Sequence, residues 1–411
     1  MNRFPHRAVP IVLAAVVVDV IGFGIVMPVL PRLVTELGRM GLTEASRVSG
    51  YMLAVFALAQ FVAGPVMGAL GDRFGRRPVL IASMVAFSVD YLLMAAAPTL
   101  AWLFVGRAVA GVAGATFGPA GSVIADVSPP ERRAELFGLM GAAFGIGFVI
   151  GPALGGIVSD LGPRAPFVVA AALAGLNALA MVLLLPETLR PENRRPFRWR
   201  EANVVSSFRP LFDAGNAAPL LVAWFVWQLG GVVYPATWSF WAAIRFGWDA
   251  KAIGWSLAWV GLLQALVQVL LTRRILGALG ERRTALAGLA AGSLTLLAYA
   301  FTTRGWQVYA FFLFGCLGAL AYPALNGLLS RMVDGTRQGA LQGGLSSMNS
   351  VSAVLGPLLA SQALAFGAAR GFPGAAFLLA AALIGGAALV IAPGTPHLPR
   401  GEVSPPAPAG G

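Results

Sequence analysis

The chain of 411 residues is 58% hydrophobic and only 11% charged, with a mean hydropathy of +0.78. A soluble domain carries about 25% charged residues, so too few polar side chains exist here to cover a water-facing surface, and the sequence reads as an all-α polytopic membrane protein. The net charge of +12 lies in short loops between apolar runs rather than on one face of a domain, which argues against a nucleic-acid partner, and a single cysteine (Cys316) with histidines only in the tails (His6, His397) excludes a disulfide framework, a metal site and intramembrane histidine chemistry.

A membrane-crossing helix needs about 20 mostly apolar residues, and a lone strand cannot satisfy its backbone in lipid. Arg3 and Arg7 precede an apolar run at 9–30 that is too long for a signal-peptide core and lacks a clear cleavage site, so it is read as a first span that stays. Eleven more follow at 48–70, 79–97, 100–122, 136–158, 165–185, 217–241, 252–272, 284–302, 307–327, 341–364 and 373–392. After the second span, residues 68–80 read GALGDRFGRRPVL, which concentrates Asp72, Arg73, Arg76 and Arg77 between two apolar runs. The longest loop, 186–216, contains PENRRPFRWRE and separates six spans from six. The expected organisation is therefore an N-terminal bundle (1–185), a central loop (186–216), a C-terminal bundle (217–392) and a disordered tail (393–411) ending in VSPPAPAGG.

With twelve spans both termini share one side, and that side holds 20 of the 29 basic residues. The excess predicts that both termini are cytoplasmic. The halves also echo each other. Gly68–Arg73 (GALGDR) recurs as Gly277–Arg282 (GALGER), and Gly151-Pro152 of the fifth span recurs as Gly356-Pro357 of the eleventh. Two parallel six-helix repeats around a central site describe a secondary transporter.

These motifs resemble those of the major facilitator superfamily. GALGDRFGRRPVL is similar to its signature loop between helices 2 and 3. Gly147, Gly151, Pro152, Gly155 and Gly156, in GFVIGPALGG, match the fifth-helix motif of its drug:proton antiporters. VVVDVIGFGIVMPVLP at 16–31, SVDYLL at 88–93, GRAVAGVAGAT at 106–116, RFGWDAKAIGWSLA at 245–258 and GALQGGLSSMN at 339–349 resemble the tetracycline-efflux branch. The resemblance implies the two-bundle twelve-helix fold, a bacterial inner membrane, export of a small amphipathic compound in exchange for protons, and a monomer in the lipid bilayer. It implies no cofactor, the proton gradient being the energy source, and GxxxxGK[ST] is absent from the chain, so ATP does not drive it directly.

On physical grounds the charged loop is expected to act as a latch on the cytoplasmic side, where ion pairs that break when the halves rock bias a two-state equilibrium. Gly68 and Gly71 would permit close backbone approach. In the fifth span Ala143, Gly147, Gly151, Gly155 and Ser159 recur at four-residue spacing, and Pro152 is expected to bend the helix and help seal one access path.

Three ionisable residues fall within predicted spans: Asp19, Asp90 and Arg107. Each would cost about 2.5–3.5 kcal/mol at a helix centre without a partner or a wet cavity. Asp19 and Arg107 are expected to face the central cavity, with Asp19 as main proton site and Arg107 as its modulator. Asp90 is read either as a coupling residue or as a group nearer the lateral edge. The tetracycline-efflux pattern typically places a His in helix 8 and an acid in helix 9. Here the corresponding residues are Gln264 and Gly292, and no acid lies within helices 7–12, so coupling is expected in the N-terminal half and a chelated tetracycline would meet fewer carboxylates.

Uncharged amides supply the candidate substrate contacts, namely Gln60, Gln228, Gln264, Gln268, Asn326 and Asn349, with Gln342 nearby. Seven of ten tryptophans lie in the seventh and eighth spans and their connection, and each is read first as an interfacial anchor and second as a drug platform. The alternatives kept open are a symporter or uniporter for a native metabolite, a membrane enzyme, and a non-transporting sensor on the same fold.

Overall fold

The computed structural model describes residues 6–114, 117–129, 132–197, 217–333 and 338–393. All regular structure among them is helical, and ten helical runs are long and apolar enough to cross a membrane by length and composition. One of these, Ala250–Phe301, is 52 residues long and holds two of the expected spans, while the twelfth expected span is the shorter apolar helix Ala375–Ile391.

The spans run from Ala8–Val26 through Leu42–Phe74, Arg76–Ala96 and the fourth, which comprises Leu100–Ala113 and Phe117–Val127. Arg133–Val158 and Ala165–Leu184 complete the first half. Ala218–Phe246 opens the second, and Gly305–Arg331, Gln338–Ala368 and Ala375–Ile391 close it. Between spans 1 and 2 lies a short helix the sequence did not announce, Leu30–Gly38, with Pro31 in its first turn.

Two expected loops shrink to single residues. Loop 71–78 becomes Gly75, at φ 107° and ψ 158°, with helix on both sides. Loop 273–283 becomes Gly280, at φ 74° and ψ 168°, inside a helix that otherwise continues from the eighth span into the ninth. A positive φ available to glycine reverses the chain in one step, so both flanking helices wind to its edge. Both copies of the charged repeat thus turn on one glycine, at Gly280 within the second copy and at Gly75 two residues beyond the first.

The repeat persists in the packing. Ser88 Oγ of the third span donates to the Ala171 carbonyl of the sixth at 2.9 Å, and Ser293 Oγ of the ninth donates to the Ala381 carbonyl of the twelfth at 2.8 Å. The two halves meet along two seams, the second span against the eleventh and the fifth against the eighth. Both seams close at the face opposite the termini. Gly50 packs on Pro357 and Ser361, Gln362 Nε2 donates to Tyr51 Oη at 2.9 Å, and Lys251 pairs with Asp160 at 3.2 Å. Toward the face bearing the termini the seams part. Side-chain positions at Gly64 and Gly68, at Gly138, Gly141 and Gly145, and at Gly339 and Gly343 have nothing within 4 Å. The space between the halves is therefore sealed at one face and open at the other.

This arrangement corrects the reading of Gly68, which in this conformation faces open space rather than a neighbouring backbone. It also corrects the reading of three of the seven tryptophans. Trp224, Trp238 and Trp241 are at most 1% exposed; Trp238 and Trp241 pack among Tyr299, Phe312 and Phe377 in the interior of the second half, and Trp224 packs on Trp227 and Tyr322, while Trp255 and Trp259 remain exposed, as anchors would be. A bundle of six helices needs large side chains to fill its own centre, and the seventh span supplies them.

Candidate functional site

A cavity of ≈ 180 Å³ lies between the halves beneath the sealed face. From the first half Phe23, Phe56, Gln60, Tyr91 and Arg107 line it; from the second half Val232, Pro235, Ser239, Phe240 and Pro357 do. Its wall is mostly apolar and aromatic, with a few placed polar groups, as small-molecule sites usually are. Arg107 faces this cavity as expected, and its guanidinium stands 5.7 Å from the Phe56 ring centroid.

Arg107 is paired with Asp90 and not with Asp19. Arg107 Nη2 lies 3.5 Å from Asp90 Oδ2, and Asp90 is wholly buried. Of the two readings of Asp90, the one that places it nearer the lateral edge does not fit this burial. The pair works because Gly106 leaves room for the carboxylate, since a Cβ there would stand 2.8 Å from Asp90 Oδ1. Arg107 Nη2 also contacts Met94 Sδ at 2.8 Å. Beyond the ion pair, neither carboxylate oxygen of Asp90 has a hydrogen-bond partner among the described residues.

Asp19 lies in the wall of a separate small cavity within the first half, formed by Val12, Val16, Leu80, Met84, Ala120 and Met181. The expected exposure to the central cavity is not what this conformation shows. Tyr91, next to Asp90 in the chain, reaches toward the first span, where its hydroxyl lies 3.2 Å from the Cβ position of Gly22, one turn from Asp19. Tyr91 escaped the sequence reading, although it directly follows Asp90 in SVDYLL.

The charged loop is a network inside the first half. Arg76, 8% exposed, holds Asp72 through Nη1 at 2.7 Å and Asp126 at the end of the fourth span through Nε at 3.3 Å. Gly71 lies against the same guanidinium. Arg77 Nη2 donates to the Val182 carbonyl at 2.5 Å, and Arg73 stacks on Phe74 at 4.9 Å. Glu187, not among the sequence candidates, accepts from the amides of Arg76 and Arg77 at 3.0 and 3.3 Å and from those of Thr188 and Leu189. It thereby caps the third span, whose first amides are otherwise unpaired. Charge-assisted bonds of this kind contribute about 1.5–3 kcal/mol, so Glu187→Gln is expected to lower the melting temperature of the purified protein in detergent. An unchanged melting curve would show the cap to be idle. The second half repeats the relay with Glu281, which pairs with Arg331 at 2.9 Å at the end of the tenth span.

The fifth-span motif divides its glycines between two neighbours. Gly147, Gly151 and Gly155 lie against the backbone of the first span at Val17, Ile21 and Ile25. Gly156 lies against the eighth, its Cβ position 3.1 Å from Lys251 Cα, and Gly254 of the eighth span packs on Pro152 and Gly156 in return. The helix runs unbroken from Arg133 to Val158 through Pro152. A side chain at Gly254 must push this seam open, so Gly254→Val is expected to cost about 1–3 kcal/mol in the state seen here and to shift the protein toward opening at the sealed face. Labelling of a cysteine placed at Ala57, on the cavity wall, should slow from the face bearing the termini; an unchanged rate would count against the seam as a seal.

The amides separate into groups. Asn349 Oδ1 accepts from Gln228 Nε2 at 2.7 Å and Trp224 Nε1 at 2.9 Å, beside an aromatic set of Trp224, Trp227 and Tyr322 with centroids 5.3–6.2 Å apart. Gln342 donates to Asn326 at 2.8 Å. Gln60 donates to the Gly114 carbonyl at 2.8 Å, at the interruption of the fourth span. Gln264 lines a second cavity in the C-terminal half, and Gln268 is exposed, with Thr272 as its hydrogen-bond partner. No cluster of three or more metal-ligating side chains is present among the described residues. Most of the central loop, 198–216, and the tail beyond residue 393 lie outside them.

The sequence matches the model of the Major Facilitator Superfamily over residues 12–249 and 220–410. It is 42% identical to the class C tetracycline resistance protein of Escherichia coli over 92% of this chain and 94% of that one. It is 29% identical to multidrug resistance protein 2 of Bacillus subtilis over 85% and 86% of the two chains. Among solved structures, a nucleoside transporter superposes with a TM-score of 0.76 at 13% identity, covering 93% of this chain and 98% of that one. A bacterial homologue of the human lysosomal transporter Spinster superposes with a TM-score of 0.73 at 14% identity over 96% of each chain.

Proposed function

The chain belongs to the major facilitator superfamily, and from that premise we propose that it exports a small amphipathic drug, with tetracyclines among its substrates, in exchange for protons. The observation that carries this reading is the cavity between the halves, sealed at one face and open at the other, with Arg107, Tyr91 and the nearby acids on the side of the first half. The basic residues concentrated on the side of the termini support a cytoplasmic position for that side in a bacterial inner membrane. The open cavity then faces the compartment from which an exporter loads.

The geometry supports a division of roles. Asp19, with no ion-pair partner among the described residues, is the group whose protonation can be exchanged without breaking a salt bridge. The Asp90–Arg107 pair holds the third and fourth spans in register and presents the guanidinium to the cavity. Tyr91 lines the cavity beside Arg107 and approaches the first span one turn from Asp19. The network of Asp72, Arg76, Asp126 and Glu187 fixes the cytoplasmic ends of spans 2, 3, 4 and 6, so that they move as one body when the halves rock. Drug binds against the aromatic wall of the central cavity.

The test is proton movement in everted vesicles energised by respiration, challenged with tetracyclines and other amphipathic drugs. Drug-dependent loss of the pH gradient supports antiport. Acidification in the reverse sense, or none with any compound, would overturn it.

A further inference from the structure

A second cavity, ≈ 270 Å³, lies wholly within the C-terminal half among the seventh, eighth, ninth, tenth and twelfth spans. Trp227, Tyr234, Tyr299 and Phe312 form its aromatic wall, and Gln264 and Thr295 add polar groups. No charged side chain lines it. Several glycines complete the lining, and they are of two kinds. A Cβ at Gly230, Gly288 or Gly315 would stand 2.8 Å from Ile384, Ala321 or Thr295, so helix packing accounts for them. At Gly231 a Cβ meets nothing within 4 Å, and at Gly292 nothing nearer than 3.9 Å. Packing asks for no glycine at those two positions, and glycine weakens a helix interior relative to alanine. What they preserve is the empty volume. The Tyr234 hydroxyl adds an independent observation: it is enclosed and has no hydrogen-bond partner among the described residues, a state proteins avoid unless something else supplies the partner.

We infer that this cavity is a binding site for an uncharged, flat compound of two fused aromatic rings bearing an acceptor oxygen, with Tyr234 donating to that oxygen. The inference rests on the exporter reading and adds a substrate class to it. The size fits, because an engineered apolar cavity of about 150 Å³ takes up benzene. The aromatic wall offers stacked and edge contacts to a ring. A wall without charge excludes ions, whose lost hydration nothing there replaces.

Equilibrium dialysis of the purified full chain in detergent tests this with coumarin, and with naphthalene as the counterpart lacking oxygen. The wild type should bind coumarin saturably and in preference to naphthalene. Gly292→Leu should weaken coumarin binding by about tenfold or more, and Gly231→Leu, which fills the same space from the seventh span, should repeat the loss. Tyr234→Phe should erase the preference for coumarin while sparing naphthalene. No saturable binding by the wild type, or unchanged affinity in both filled variants, would overturn the site. Drug-driven proton movement by the wild type is measured in parallel. Its absence would sink the exporter reading, while the dialysis result alone decides the cavity.

Discussion

Asp19→Asn is expected to abolish drug-driven proton movement while leaving the protein folded. The side chain sits in an apolar wall of Val12, Val16, Leu80 and Met84, with no counter-charge among the described residues. Asparagine is the neutral isostere of the protonated acid, so the pocket keeps its shape and loses only the exchangeable proton. In everted vesicles the drug response should fall below about one hundredth of wild type if Asp19 carries the proton, an effect within the range general acid–base groups contribute. Yield and melting temperature should not move. An equal response from mutant and wild type would remove Asp19 from the coupling path and transfer attention to Asp90.

Arg107→Ala is expected to act the other way, through folding. It leaves Asp90, fully buried, without its ion-pair partner, and the loss of one member of a buried pair costs about 3–5 kcal/mol. The variant should be recovered at low yield or melt well below the wild type in detergent. Asp90→Asn combined with Arg107→Ala should regain much of that stability, because no uncompensated charge is left, yet it should not regain transport, since the guanidinium on the cavity wall is gone. A stable, active Arg107→Ala protein would contradict the assignment. The two single variants therefore separate a residue that carries the proton from a pair that holds the structure around it.

The predicted spans coincide closely with the observed ones because the signal is composition: about 20 apolar residues must become helix in a bilayer, whatever they pack against. Motif positions were legible for a similar reason. Gly147, Gly151 and Gly155 stand at helical spacing, and only close approach to another helix explains glycine there. The partners were not legible. Asp90 and Asp19 are both acids in apolar runs, and nothing local distinguishes the one that Arg107 holds from the one that stands alone. Glu187 looked like an ordinary loop acid, since its role as a cap depends on the third span starting beside it, 111 residues earlier in the chain.

The sequence by itself determined the membrane class, the twelve spans, the division into two repeats and the family, because each of these depends on local composition or on motifs read in order. Only the tertiary structure decided which face is sealed, that the charged loop ties together its own half rather than bridging to the other, that most large aromatic rings of the seventh span are core, and that Asp90 pairs with Arg107. Those properties belong to contacts between spans distant in sequence. An ionisable or aromatic side chain in lipid must find a partner, but the demand for one is local and its identity is set by how the helices pack.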